Sequence, residues 1–291
     1  MGGGIIGSEL ACMAAQLGSK VVVVEMLEDI LPMADADLRR EVRRVMESDL
    51  GVDILTGHAL EDVTADKRVR AAVNGRKLEA DLLLVATGRR PVTAGLGLEQ
   101  AGVRVNSHGF VEVDGYGQTN VAGIFAIGDV NGGPQLAHAA TSQGITVAEN
   151  ACTGILHKIE RLVPACVFTQ PEIGSVGLTE AQAKEQGRNV KVGKFAFAAL
   201  GKAMAAGDTT GFVKWIADAE TGRLCGAHAV GPHATELIAE AATAIRAELT
   251  AAELGMTVHC HPTYSEAWME AAHLLKDMCI HAAPRKVNCA S

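Results

Sequence analysis

Apolar positions along this chain fall first into short blocks. Residues 8–17 are rich in helix formers and are closed by Gly18, a natural C-terminal stop. Four valines at 21–24 follow, the pattern of a strand buried on both faces. A helix charged on its outer face is predicted over 35–48 and a short strand over 52–56. Residues 61–73 and 77–81 alternate as hairpin strands, with turns at Asp66-Lys67 and Asn74-Gly75. The apolar run 82–86 predicts another buried strand, ending in Thr87-Gly88-Arg89-Arg90-Pro91. Residues 91–121 are Gly-rich and irregular. A strand over 123–127 then runs into Gly128-Asp129, followed by a helix over 138–152. Beyond residue 162, β-type runs (165–169, 211–217, 224–230) are mixed with helices (179–186, 234–247). That order is α+β and predicts a separate domain.

Composition narrows the function. The 291 residues suit two domains on length alone. A net charge of −8 and only 3% aromatics argue against nucleic-acid binding, which needs a basic face or a stacking surface. No apolar run approaches the ~18 residues of a membrane span. No basic segment with an apolar stretch and cleavage site opens the chain, and Ile6 breaks a myristoylation signal at Gly2. Cysteines at 12, 152, 166, 225, 260, 279 and 289 contain no C-x-x-C pair, which fits a reducing cytoplasm.

The chemistry starts at Gly2-Gly3-Gly4-Ile5-Ile6-Gly7, a G-x-G-x-x-G at the head of a helix. Gly2 permits a tight turn, Gly4 lets backbone approach a pyrophosphate, and Gly7 lets the helix sit close to its sheet. The helix N-terminus offers unpaired N–H groups to the phosphates. Glu25, at the end of the next strand, is placed to accept the ribose hydroxyls, and its charge repels a 2′-phosphate, favouring NAD over NADP. The fingerprint also requires a strand before its first glycine. That strand, central in a doubly wound sheet, is expected to be missing, leaving apolar sheet surface exposed.

Five segments in order resemble the pyridine nucleotide–disulfide oxidoreductases. Beyond the glycine loop they are residues 86–91 (Ala-Thr-Gly-Arg-Arg-Pro), 123–129 (Gly-Ile-Phe-Ala-Ile-Gly-Asp) with Leu136-Ala137-His138, 170–180 (Gln-Pro-Glu-Ile-Gly-Ser-Val-Gly-Leu-Thr-Glu) and 259–267 (His-Cys-His-Pro-Thr-Tyr-Ser-Glu-Ala). The last is more similar to the dihydrolipoyl dehydrogenase branch than to the glutathione-reducing one. The resemblance implies an α/β chain using FAD and NAD: a Rossmann-like NAD domain over 1–85 without its first strand, a returning remnant of the FAD domain over 86–158, and an α+β dimerisation domain over 159–291. It implies that Ala59 and Gly88 line the NAD site. It assigns Asp129 to the ribityl chain of FAD, and the helix start at Gln135, Leu136, Ala137 and His138 to the flavin ring. Ala139 stands where the family usually has Lys.

His261 and Glu266 are the implied catalytic pair: a carboxylate that fixes a histidine's tautomer makes it a base for a thiol. In the family this pair reaches the disulfide of the opposite subunit. On an extended segment His259 and His261 would share a face, with Cys260 between them, but no spaced set of metal ligands is evident. The family's chemistry also needs a Cys-x-x-x-x-Cys disulfide and an earlier glycine loop, and the 291 residues contain neither. The expectation is the C-terminal part of a homodimeric dihydrolipoamide-oxidising flavoenzyme that serves the lipoyl domains of 2-oxo-acid dehydrogenase complexes. Its FAD half would lie on a missing N-terminal segment or a separate chain, and the isolated chain would be inactive. A non-catalytic NAD-binding, dimerising module and another disulfide reductase of the family are the alternatives.

Overall fold

The computed structural model describes residues 1–276 and 278–281; Cys289 lies outside them. The chain divides into two compact units, Met1–Gly88 with Pro164–Ser291, and Arg89–Val163.

The first unit opens with α1 (Ile5–Gln16), β1 (Val22–Glu25), α2 (Ala36–Ser48) and β2 (Asp53–Thr56). β1 and β2 pair in parallel, with Glu25 opposite Thr56 at the C-terminal end. α2 buries Leu38, Val42, Val45 and Met46, one helical stripe, and turns its arginines outward; Asp35 caps it by accepting from the Asp37 N–H. β3 (Glu61–Ala65), β4 (Val69–Val73) and β5 (Arg76–Ala80) form an antiparallel meander. Its second turn is the Asn74-Gly75 pair, both residues at positive φ, as a tight hairpin requires.

Two predicted strands do not form. Residues 82–86 form no strand; their backbone bonds to Met1, whose N-terminus donates to the Leu84 carbonyl at 2.9 Å and whose carbonyl accepts from the Ala86 N–H at 2.8 Å. The Gly2 N–H donates to the Val24 carbonyl on β1. Met1 and Gly2 thus bond to residues 84–86 on one side and to β1 on the other. The apolar side chains there face solvent, Leu82 at 81% and Val85 at 59% exposure. Residues 123–127 likewise make one isolated bridge, Phe125 to Gln118. An apolar run specifies burial; a strand also needs a partner.

In the second unit, a 3-10 turn (Gly128–Asn131) precedes α3 (Ala137–Thr153).

The rest of the first unit is an antiparallel sheet of five strands, β6 (Ala165–Val167), β7 (Ile173–Gly177), β8 (Val190–Ala196), β9 (Phe212–Asp218) and β10 (Leu224–Val230), in the order β6-β7-β10-β9-β8. Around it lie α4 (Glu180–Glu185), α5 (Gly201–Ala206), α6 (Ala234–Arg246), α7 (Ala251–Met256) and α8 (Glu266–Leu274). One sheet face is apolar and close to helices: a Cβ on Gly174 would stand 2.3 Å from the Ala234 carbonyl of α6, and one on Gly193 would stand 2.1 Å from Ala271 of α8. The opposite face carries a polar row, Ser175, His228, Lys214 and Lys194, paired in register across four strands. Here Lys214, fully buried, meets Asp35 at 2.5 Å, Glu180 at 2.7 Å and Asp37 at 3.4 Å. A shared core runs from Ala11, Val23 and Leu38 to Ile173, Phe212 and Val230, which joins the segment containing α1–β2 to this sheet.

Candidate functional site

The glycine loop is fixed by close approach. Gly2 has φ +100°, and a Cβ on it would stand 2.4 Å from the Ala86 carbonyl oxygen; on Gly7 it would be 1.9 Å from the Gly2 carbonyl. At Gly4, the N-cap of α1, a Cβ would meet nothing within 4 Å. No side chain caps that helix end. The loop is therefore held shut at its first and third glycines and open at the second, the shape a pyrophosphate needs. Gly3 is constrained too, because a Cβ there would press on Ile30 at 2.8 Å and Glu25 at 3.2 Å.

Glu25 stands beside this loop, with its Oε2 accepting from the Gly3 N–H at 2.5 Å and its Oε1 from the Leu27 N–H at 2.8 Å. A carboxylate has about four acceptor sites, so two remain for ribose hydroxyls. Ala59 lies exposed three residues after β2, and Gly88 (φ +112°) is exposed two residues after Ala86. The residues present fit an NAD adenosine and pyrophosphate.

In the second unit, Asp129 is exposed on the 3-10 turn that ends at the left-handed Gly132. The buried Gln143 of α3 accepts from the Gly128 N–H at 2.8 Å and from the Asn131 side chain at 3.0 Å, which fastens the Gly-Asp turn to the helix. At the start of α3, the N-cap Leu136 makes no side-chain cap hydrogen bond. Gln135, Ala137 and His138 are exposed there, and His138 shares a shallow depression with Thr141, Ser142 and Ile145. An acidic side chain and a helix N-terminus on one unit suit the polyol and the ring of a flavin.

The candidate base, His261, lies at the head of α8. The His261 Nδ1 is 2.9 Å from the Glu266 Oε1, and the Thr263 N–H donates to Oε2 at 2.8 Å. A carboxylate only accepts, so Nδ1 carries the proton and the Nε2 lone pair is left for chemistry. His261 is 72% exposed on its side chain and Glu266 10%. The carboxylate is therefore enclosed and the imidazole accessible.

His259 does not share that exposed face. Its Nε2 lies 2.7 Å from the Glu240 Oε1 of α6, its Nδ1 lies 2.9 Å from the Thr257 carbonyl, and its side chain is 5% exposed. Both ring nitrogens are engaged. Among the described residues, the group of three side chains close enough to share a metal ion is Asp35, Asp37 and Glu180, where the Lys214 ammonium already sits. Glu240 and Gln143 are contributions that the sequence patterns do not single out. For Gln143 the available signal is a Gln on the inner face of an Ala-rich helix; nothing local marks Glu240.

Known proteins bear on the same residues. Residues 1–144 match the family profile described as pyridine nucleotide-disulphide oxidoreductase, and residues 163–272 match the dimerisation domain of the same family. The chain is 43% identical to the dihydrolipoyl dehydrogenase of Thermus scotoductus over 98% of its length and 63% of the relative's. It is 40% identical to that of Bacillus subtilis, over 97% and 60%. Among solved structures it is similar to LpdA of Mycobacterium tuberculosis, with a TM-score of 0.88 and 31% identity, covering 94% of this chain and 60% of that one. It is also similar to the HOCl-induced flavoprotein disulfide reductase RclA of Escherichia coli, with a TM-score of 0.86 and 33% identity, over 92% and 62%. The chain spans about three fifths of the length of these relatives.

Proposed function

The chain belongs to the pyridine nucleotide-disulphide oxidoreductases, and from that premise we propose that it supplies the NAD-binding loop and the thiol base of a flavin-dependent dihydrolipoyl dehydrogenase. The observation that carries this reading is the His261–Glu266 pair, with its protonated Nδ1 bound and its Nε2 open to solvent.

Bound FAD and NAD would supply the two-electron carriers. Asp129 and the α3 start at Gln135, Leu136, Ala137 and His138 would hold the first; Gly2, Gly4, Gly7, Glu25, Ala59 and Gly88 would hold the second. Glu266 keeps the imidazole in one tautomer and one orientation. The His261 Nε2 takes the proton from a thiol of dihydrolipoamide, and the Glu266 carboxylate balances the imidazolium that results. The thiolate left behind is the nucleophile a disulfide requires. Lipoyl domains of 2-oxo-acid dehydrogenase complexes are the proposed partners, and residues 163–272, which match the dimerisation domain, are the proposed homodimer surface.

The 291 residues hold no Cys-x-x-x-x-Cys pair. The 291-residue polypeptide is therefore expected to form no NADH from dihydrolipoamide by itself. Mixed with an FAD-loaded polypeptide that carries such a disulfide, it is expected to turn over, and His261→Gln is expected to lower that rate by about 10²–10⁴. NADH absorbance measures all three. Turnover by the chain alone, or an H261Q rate equal to the parent's, would overturn the reading. Failure of every mixture would favour the non-catalytic dimerising module.

A further inference from the structure

The G-x-G-x-x-G spacing asks for glycine at positions 2, 4 and 7 and leaves position 3 open, yet the chain carries Gly3 there. Gly3 is buried, and both of its backbone polar groups are engaged. Its N–H donates to the Glu25 Oε2 at 2.5 Å. Its carbonyl accepts from the Leu31 N–H at 2.8 Å and from the Ser8 hydroxyl at 3.1 Å. Its bare α-carbon completes the contact: a Cβ there would stand 2.8 Å from the Ile30 Cγ2 and 3.2 and 3.3 Å from the Glu25 Cβ and Cγ. We infer that Gly3 is a positioning residue for nucleotide specificity: with Ser8 it fixes the Glu25 carboxylate where a 2′-hydroxyl is accepted and a 2′-phosphate refused.

A side chain at position 3 has to displace something, and only one neighbour is able to yield. Ile30 is wholly buried in the core that also holds Leu31 and Leu38, so it has nowhere to go. The backbone at position 3 is tied through its carbonyl to two donors. One is the Leu31 N–H in the turn after β1; the other is the hydroxyl of Ser8, a fully buried residue of α1. The displacement therefore falls on the root of the Glu25 side chain, at the end of β1. Its Oε2 would then lose the Gly3 N–H, and the Leu27 N–H on Oε1 would be its one remaining anchor. A carboxylate held at one point rotates about it; held at two, it is aimed.

Adjacent glycines thus govern different quantities. A Cβ on Gly4 would meet no atom of the chain within 4 Å, so its bareness serves the pyrophosphate, which NAD and NADP share. The bareness of Gly3 serves Glu25, which faces the ribose position where the two nucleotides differ. Substitution at Gly4 should change affinity, and substitution at Gly3 should change preference.

The inference rests on the reading of this loop as an NAD site, and calorimetric titration of the 291-residue chain with NAD and NADP separates the two. Gly3→Ala should lower the parent's preference for NAD from at least about tenfold to about threefold or less, chiefly by weakening NAD. Gly4→Ala should weaken both nucleotides and hold the preference within about twofold of the parent's. Ser8→Ala removes one donor to the Gly3 carbonyl and adds no atoms; it should lower the preference about threefold and keeps the test open where G3A does not fold. Glu25→Gln should abolish the preference, and G3A added to E25Q should not change the ratio again, since Gly3 acts through Glu25. A parent chain that binds no NAD would remove the reading and the inference together. A parent preference that persists in G3A, or in S8A where G3A does not fold, or that falls equally in G4A, would overturn the inference alone.

Discussion

Lys214→Met is expected to destabilise the chain by about 3–5 kcal/mol, the cost of removing one partner from a buried ion pair. Its ammonium is wholly buried, and it neutralises Asp35, which is 4% exposed on its side chain. Without it, Asp35 would keep only the Asp37 and Glu180 N–H donors, at 3.1 and 3.2 Å. Glu180 is about half exposed and would remain hydrated, so the loss concentrates on Asp35. The double variant K214M with Asp35→Asn keeps a side chain able to cap α2 and removes the stranded charge. It should recover at least about 1 kcal/mol relative to K214M alone, a coupling typical of groups in contact. Urea unfolding followed by tryptophan fluorescence measures both, because Trp215 and Trp268 are buried around this sheet. Equal stability of K214M and the parent would contradict it. Acid acts on the same pair. Burial pushes Asp35 up, but the hydrogen bond and charge of Lys214, with smaller help from His228 and Glu180, hold it below the usual carboxylate value. Its contribution is therefore complete above the unfolded pKa of about 3.9 and is lost as pH falls through the lower folded value.

Trp268→Ala is the second large effect, expected at about 3–5 kcal/mol. Trp268 is fully buried on α8, its ring centroid 4.7 Å from that of Trp215 on β9. Its indole N–H donates to the Leu237 carbonyl at 3.0 Å, and its own carbonyl accepts from the Trp215 indole at 3.0 Å. Removal of the ring opens a cavity between sheet and helix and deletes one of these bonds. Trp268→Phe, which keeps most of the apolar volume, should cost only about 1–2 kcal/mol. Urea unfolding by circular dichroism separates the two; equal losses would show that the cavity is not the cause. Because Glu266 stands two residues earlier on the same helix, the alanine variant should also loosen the carboxylate that orients His261.

Features set by neighbours along the chain are legible in the sequence. The glycine loop and the Asn74-Gly75 turn are local spacings, and Asp35 capping α2 is a signal one residue long. The His261–Glu266 pair falls within six residues and is legible for the same reason. The place of Glu25 at the end of its strand follows from the valine run, whereas its bonds to the Gly3 and Leu27 amides do not. Residues 82–86 and 123–127 have the composition of strands but pair with no strand among the described residues, so composition alone misleads there. What sequence does not show is pairing at long range. Glu240 reaches His259 across 19 residues, Lys214 reaches Asp35 across 179, and the polar row across the sheet exists only once four strands are in register. Alternation within one strand is a local property, but which side chains meet across strands is not.

The central claim is that Gly2, Gly4, Gly7 and Glu25 make a site for NAD, one part of an oxidoreductase that ends at a thiol base. Calorimetric titration of the 291-residue chain with NAD and NADP tests it most directly. The account predicts saturable binding of NAD and at least about tenfold weaker binding of NADP, since a 2′-phosphate would approach the Glu25 carboxylate, and tenfold corresponds to about 1.4 kcal/mol. Equal affinities, a preference for NADP, or no heat with NAD would contradict it.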